Sequence, residues 1–286
     1  MRLRPHLAFE ATTAFLTAYL FFSLSAIPER KGTQPSFRPD SVLAQIQIDT
    51  LAVHAHPSSS PPRSPAPLEP IVIEHGPRDE KIIALTFDAC STHDPSNYDE
   101  RISEVLIRTQ TPATLFLGGK WMTEEAEQTK QLAENPLFEL GNHTYSHPHL
   151  CDISDERIRK ELQSTQNVIN SLTGKQVSLF RPPYGEYDER VVRIAASIGL
   201  KTVQFDLASG DPDPAISKDR LVRAVSSMAR SGSIIVMHIN RRGWRTAESL
   251  PEIISRLRQR GFVFKTVSDM LRHPAESGHG NDHKRP

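Results

Sequence analysis

Five short apolar runs of this chain each lead to a polar residue of a type used in metal-assisted hydrolysis. Histidine and aspartate bind metal ions and transfer protons, and arginine orients carboxylates by bidentate pairing. In a parallel α/β domain the carboxyl ends of the strands open on one face, where residues far apart in sequence can meet. One such residue is uninformative, but five on successive strands predict an active site. The residues are Asp88, His143, Arg181, the pair Asp206 and Asp211, and His238.

The first candidates for metal binding are His143 and His147. Imidazole suits zinc and similar ions, and two histidines spaced by four residues can bind one ion. Pro148 disfavours helix at the residue before it, so the pair is predicted to lie on a loop. The spacing alone is a weak signal, because His279 and His283 repeat it in the polar tail, where we assign it no function. A structural role for the first pair is the alternative.

Asp88 and Arg181 each follow an apolar run and suit the handling of a water molecule. A carboxylate at the end of a strand can accept a proton from an activated water, although a helix cap or an ion pair is the alternative. Arg181 precedes a rigid Pro-Pro-Tyr-Gly turn and can orient a carboxylate. Its alternative is a surface arginine on a loop.

His238 follows the run Ile-Ile-Val-Met and suits a general acid. A hydrogen-bonded histidine of the core is the alternative reading. Asp211 can pair with this histidine and raise its pKa. Asp206 competes for the same role, and Gly-Asp-Pro around Asp211 is also an ordinary turn.

Elements that can position these residues alternate along the chain from about residue 71. A strand followed by a helix, repeated six times, predicts an α/β fold with a parallel sheet or barrel of about seven strands. Ser154 is a predicted helix start, and Gly174 a predicted stop. The predicted strands are 82–88, 113–118, 137–142, 177–181, 201–206, 233–238 and 262–265, and the predicted helices are 98–109, 121–134, 154–172, 187–199, 217–230 and 246–260.

The rest of the chain differs in composition from this alternating part. Residues 1–27 combine a basic start, an apolar middle and small residues, which predicts a secretory signal peptide or an uncleaved membrane anchor. Residues 28–70 are rich in Pro and Ser and predict an extended linker. A catalytic domain is predicted over 71–273, and a disordered polar tail over 274–286. The expected location is therefore the periplasm, the cell envelope or the exterior.

Charge and cysteine content set further bounds. The formal net charge is zero and no long basic tract is present, so nothing indicates a nucleic-acid partner. The two cysteines, Cys90 and Cys151, leave a disulfide and two independent thiols as open alternatives for an exported protein.

Taken together, the motifs resemble those of the NodB-homology polysaccharide deacetylases, carbohydrate esterase family 4. The resemblance covers about residues 75–272, and the order and approximate spacing of five motifs carry it. These motifs are Thr86-Phe87-Asp88, His143-Thr144-Tyr145-Ser146-His147, Arg181-Pro182-Pro183-Tyr184-Gly185, the segment from Asp206 to Asp211, and Ile234-Ile235-Val236-Met237-His238.

The resemblance implies a distorted (β/α) barrel and a metal-dependent removal of N- or O-acetyl groups from a glycan. It implies zinc as the favoured metal, with cobalt, nickel or manganese as alternatives. The implied roles are general base for Asp88, metal binding for His143 and His147, orientation of the base for Arg181, an oxyanion-binding backbone N–H for Tyr184, general acid for His238, and tuning of that acid for Asp211.

One position departs from the family pattern. The family's second aspartate, a metal ligand, is Ala89 here. Either His93 or Asp94 supplies a third ligand, or the metal rests on two histidines with weaker affinity, or the site has lost its metal. Cys90 is a further, softer ligand candidate.

The leading hypothesis is an exported, monomeric hydrolase that deacetylates an envelope or extracellular polysaccharide of the peptidoglycan or chitin type. A glycan-binding pseudoenzyme without metal, and a deformylase or amidase acting on a related sugar, are the alternatives. Trp244 is a candidate for stacking on a sugar ring, with helix packing as its alternative, and Trp121 is assigned to the core.

Overall fold

The computed structural model describes residues 68–91 and 97–272 of the 286. The predicted leader, the linker up to residue 67 and the polar tail lie outside the described residues, as do His93 and Asp94. Within the described part, every helix is too short or too polar to span a bilayer.

A parallel β-sheet, curled into a half-barrel, forms the centre of the described part, which confirms the predicted α/β barrel. Along the sheet the strands follow the order β1-β6-β5-β4-β3-β2-β8-β7, and β9 also pairs with β2. All pairings are parallel. The strands are β1 (Val72–Ile73), β2 (Ile82–Ala89), β3 (Ala113–Leu117), β4 (Phe138–Asn142), β5 (Leu179–Phe180), β6 (Lys201–Val203), β7 (Leu207–Ala208), β8 (Ser233–His238) and β9 (Val263–Phe264).

All seven predicted strands are present, and the two additional ones, β1 and β7, have two residues each and were too short to predict. The sheet stays open, because β1 and β7 end its path without pairing with each other. Strand β6 ends at Val203, earlier than predicted, so that Asp206 lies beyond it.

Helices cover the outside of the sheet, and their ends follow local sequence signals. Ser154 caps α4 by accepting a hydrogen bond from the N–H of Arg157, and Gly174 ends that helix in the left-handed conformation, φ +68°. The predicted helix 121–134 is two helices divided at Glu125. The helices are α1 (Glu100–Arg108), α2 (Gly119–Glu124), α3 (Ala126–Glu134), α4 (Asp155–Thr173), α5 (Glu189–Ser197), α6 (Lys218–Met228), α7 (Thr246–Gln259) and α8 (Val267–Leu271).

Alternation along β2 explains how this strand carries a charged residue to its end. The side chains of Ile83, Leu85, Phe87 and Ala89 belong to the main core that the outer helices share. The intervening positions face the other side of the sheet, where Ala84 packs in a second apolar cluster. Asp88 therefore opens into the half-barrel, and Ala89 points away from it into the core.

Candidate active site

One pocket of about 250 Å³ lies where the carboxyl ends of β2, β4, β5 and β8 meet. These strands are parallel and mutually aligned, with Asp88 level with His238 on the neighbouring strand. Chain segments more than a hundred residues apart therefore share one opening. The pocket is lined by Asp88, Cys90, His143, His147, Tyr184, Gly185, Phe205, Ala208, Ser209, Gly210, Asp211, Pro212, Val236, His238 and Arg242.

The carboxylate of Asp88 rests on a buried guanidinium. Arg181 Nη1 donates to Asp88 Oδ1 at 2.9 Å, and the arginine is fully buried. Burial raises the pKa of Asp88, but the combined influence of Arg181, His143 and His238 outweighs it and holds this pKa below its usual value. The carboxylate is therefore ionised, as a proton acceptor must be.

Several groups hold Arg181 in place beneath the pocket. Its Nη1 also donates to Thr86 Oγ1 at 2.7 Å, and Nη2 donates to the carbonyl oxygen of Gln204 at 3.0 Å. The guanidinium lies 4.2 Å from the ring centre of Phe116, a cation–π contact. The surface-arginine reading is thus wrong, and Thr86 has a role that the sequence did not assign.

His143 and His147 are in edge-to-face contact, with ring centres 4.9 Å apart. His143 Nδ1 lies 2.8 Å from the carbonyl oxygen of Arg181, and Nε2 points toward Asp88 Oδ2 at 3.9 Å. Burial lowers the pKa of His143 below its usual value. Burial and the neighbouring His143 lower the pKa of His147 to about 3. Both rings are therefore neutral, which is the state that binds a metal.

A buried carboxylate holds the loop that carries the two histidines. Glu161 on α4 accepts hydrogen bonds from the backbone N–H groups of Tyr145, at 2.9 Å, and Ser146, at 2.7 Å. Thr144 and His147 have positive φ angles, 63° and 58°, which a non-glycine residue adopts only where its surroundings fix it. The sequence contained no signal that pointed to Glu161.

His238 is paired with Asp211 and not with Asp206. The distance from His238 Nδ1 to Asp211 Oδ1 is 2.9 Å, and Asp211 Oδ2 accepts from the backbone N–H of His238 at 2.8 Å and from Thr246 Oγ1 at 2.7 Å. Burial lowers the pKa of His238, but Asp211 and, more weakly, Asp88 raise it above its usual value.

Asp206 is a structural residue at the other end of β8, which corrects its candidacy as partner of His238. Its carboxylate accepts from the backbone N–H of Ile234 and pairs with Arg78 and Arg230. His238 lies four positions after Ile234 along the strand. At a rise of about 3.3 Å per residue, the two sites are on the order of 13 Å apart.

The donors present fit a divalent metal held by two imidazoles. A hydrogen bond fixes the orientation of the His143 ring, and the buried Nδ1 of His147 has no hydrogen-bond partner in the described part of the chain. Among residues 68–91 and 97–272, no cluster of three or more His, Cys, Asp or Glu side chains forms a metal site. Residues 92–96 are not among the described residues. Ala89 supplies no ligand, and His93 and Asp94 fall in that stretch.

Tyr184 and Trp244 differ in their position relative to the pocket. Tyr184 lines it at a positive φ of 59°, with its ring against those of His147 and His149. Trp244 lies outside it, in a neighbouring polar groove, and is 46% exposed. Trp244 is therefore a partly exposed residue beside the pocket, whereas Trp121 is fully buried as predicted.

The two cysteines are separate free thiols in this structure. Cys90 is buried beside the pocket, and Cys151 is exposed. Burial raises the pKa of Cys90 to about 11, so this thiol is un-ionised at neutral pH.

Comparison with known proteins agrees with this fold. The profile of the family described as polysaccharide deacetylase matches residues 75–203. A peptidoglycan-N-acetylglucosamine deacetylase of Bacillus cereus is 31% identical over 69% of this chain and 91% of its own length. The N-acetylmuramic acid deacetylase PdaA of Bacillus subtilis is 28% identical over 67% of this chain and 72% of its own.

A solved structure is similar as well. A carbohydrate esterase family 4 pseudoenzyme from Bacillus anthracis has a TM-score of 0.65 and 29% identity, over 72% of this chain and 70% of its own. The chain spans 61% of the length of one further curated relative and 31% of the length of another. The chain belongs to the polysaccharide deacetylases of carbohydrate esterase family 4. Its relatives named as peptidoglycan deacetylases are hydrolases that act on carbon–nitrogen bonds other than peptide bonds.

Proposed function

We propose that this protein is an exported, metal-dependent hydrolase that removes acetyl groups from an amino-sugar polymer of the cell envelope or the exterior. The observation that supports it most is the pocket that joins a paired carboxylate, two neutral imidazoles and a third imidazole that is paired with a carboxylate. Family membership supports the reaction type, and relatives named as peptidoglycan deacetylases support the class of polymer.

In this proposal Asp88 is the general base. Its low pKa keeps it ionised. Arg181 binds Oδ1, so Oδ2 is free to face the pocket and His143. A proton acceptor placed in this way contributes on the order of 100- to 10,000-fold to the rate. A divalent metal, most readily zinc, would be held by His143 and His147 and would polarise the acetyl carbonyl and acidify water.

His238 is the proposed general acid for the leaving amine. The pairing with Asp211 raises its pKa, so that the imidazolium persists at a higher pH than an ordinary histidine. Asp211 binds Nδ1, which leaves Nε2 to deliver the proton. The backbone N–H of Tyr184 is the proposed oxyanion donor, and removing one such donor typically costs about 3–4 kcal/mol of transition-state stabilisation.

The proposed arrangement of the whole chain has four parts: a leader or anchor over 1–27, a linker over 28–70, the catalytic domain over 71–273, and a polar tail over 274–286. Export would place the domain where acetylated envelope glycans are found. We propose that the protein acts as a monomer.

Acetate release tests this function directly. The purified protein would be incubated with N-acetylated chito-oligomers and with peptidoglycan fragments, after chelation and after addition of Zn²⁺ or Co²⁺. We expect release that depends on the metal. Absence of release from every glycan with every metal would reject the hydrolase.

A glycan-binding pseudoenzyme is the second candidate, and Ala89 is the observation that favours it. The methyl group of Ala89 is fully buried in the main core, where the family pattern has a metal-binding aspartate. A similar solved structure is also a pseudoenzyme. This candidate predicts saccharide binding without metal, so the metal content after dialysis against Zn²⁺ separates it from the hydrolase.

A further inference from the structure

Arg242 is a pocket residue that the proposed chemistry does not use. It lies in the turn after β8, and it lines the pocket together with Cys90, whose thiol pKa its charge lowers against the larger effect of burial. Its backbone N–H donates to Asn240 Oδ1 at 3.3 Å, and the buried Asn240 donates to the carbonyl oxygen of Cys90 at 3.1 Å. The turn is therefore fastened to the end of β2, which gives the charge a defined place.

The charges around the pocket are balanced except at Arg242. Two carboxylates line it, and each has its own basic partner at 2.9 Å: Arg181 for Asp88, and His238 for Asp211. Arg242 forms no ion pair with any carboxylate of residues 68–91 and 97–272. Among the groups described, it is the cation left to meet a charge on the ligand.

Part of the pocket wall is apolar. Phe205, Val236 and Pro212 line it and offer no side-chain hydrogen bond to a polar substituent. A half-buried guanidinium next to such a surface binds a carboxylate more strongly than one in open solvent, because water competes less. Its planar pair of N–H donors also matches the two oxygens of a carboxylate better than a neutral group with a single acceptor oxygen.

We propose that Arg242 determines specificity by binding a carboxylate that the acetylated sugar carries. The preferred ligand is then an acidic N-acetylated sugar, such as one with a lactyl ether. This inference rests on the proposed function for its site, but recognition of the carboxylate requires no turnover.

The test is a calorimetric titration of the full chain with N-acetylmuramic acid and with its lactyl amide. The two ligands have nearly the same shape, but the amide carries no charge and has an NH2 donor in place of one acceptor oxygen. We expect the wild type to bind the acid roughly 10- to 100-fold more tightly than the amide. In Arg242→Gln this ratio should fall to about one, and in Arg242→Lys it should be intermediate. The matched control is Arg241→Gln, an exposed neighbour in the adjacent groove, which should keep the wild-type ratio.

Three results would overturn the proposal: equal binding of acid and amide by the wild type, no binding of either, or a ratio in Arg242→Gln that equals that of the wild type. Thermal melting of each variant confirms that it is folded, and Arg242→Lys keeps the test open should the glutamine variant unfold. Absence of acetate release from every glycan, acidic or neutral, with every metal would reject the hydrolase instead. Such a failure leaves the affinity ratio measurable, so the two proposals fail separately.

Discussion

Asp88 and Arg181 form a buried ion pair at 2.9 Å, and this pair joins the stability of the fold to its chemistry. The guanidinium is fully enclosed and the carboxylate nearly so. A buried charge is tolerated only with a partner, so each residue constrains the other. The same contact that keeps the proposed base ionised also neutralises the charge of the arginine beneath it.

Replacement of the proposed base should abolish turnover without removing the metal. In Asp88→Asn the shape is kept but the proton acceptor is lost, so acetate release should fall on the order of 100- to 10,000-fold. Metal content after dialysis should match the wild type. By contrast, His143→Ala should lose both metal and turnover. The rate would be measured well below the melting temperature, with the exposed Asp219→Asn as control. A full rate in Asp88→Asn would refute the assignment.

Breaking the ion pair from the arginine side should destabilise the protein. Arg181→Met leaves a buried carboxylate without its partner and should lower the free energy of unfolding by about 3–5 kcal/mol. Asp88→Ala combined with Arg181→Met should cost less than the two single changes added together, because no unpaired charge remains. Urea denaturation of the four proteins measures this coupling, and simple additivity would show that the pair contributes no specific stability.

The pH dependence should report the pairing of His238 with Asp211. This pairing raises the pKa of His238, so the proposed acid stays protonated to a higher pH and kcat/KM declines only above that value. Asp211→Asn removes the largest influence that raises this pKa. The alkaline limb of the kcat/KM profile should therefore move to lower pH. Asp206→Asn, at the other end of β8, is the control that should leave the limb where it is. The same alkaline limb in Asp211→Asn would disprove the tuning.

The carboxylate beneath the histidine loop should control metal affinity. Glu161→Ala removes the acceptor of two backbone N–H groups and frees the loop that carries His143 and His147. Loss of such a supporting contact typically lowers metal affinity roughly 10- to 100-fold. Competition with a zinc indicator measures the affinity, and Glu156→Ala, exposed on the same helix, is the matched control. Equal zinc affinities in the two variants would contradict this role.

Much of the fold and part of the site could be predicted from local signals. The alternation of strands and helices fixed the parallel arrangement, because an apolar strand and an amphipathic helix can bury their faces only against each other. The period of two along β2 placed Thr86 and Asp88 on one face. Ser154 and Gly174 marked the ends of α4 through cap chemistry that is entirely local.

The sequence by itself determined which reactive residues stand at the ends of strands, and in what order. Only the tertiary structure decided that Asp211 and not Asp206 meets His238, that Arg181 is enclosed, and that Arg242 and not Trp244 enters the pocket. The reason is physical: period and cap signals act within a few residues, whereas these contacts depend on how loops from distant strands cross. Such crossings are set by the packing of the whole domain, which no local pattern encodes.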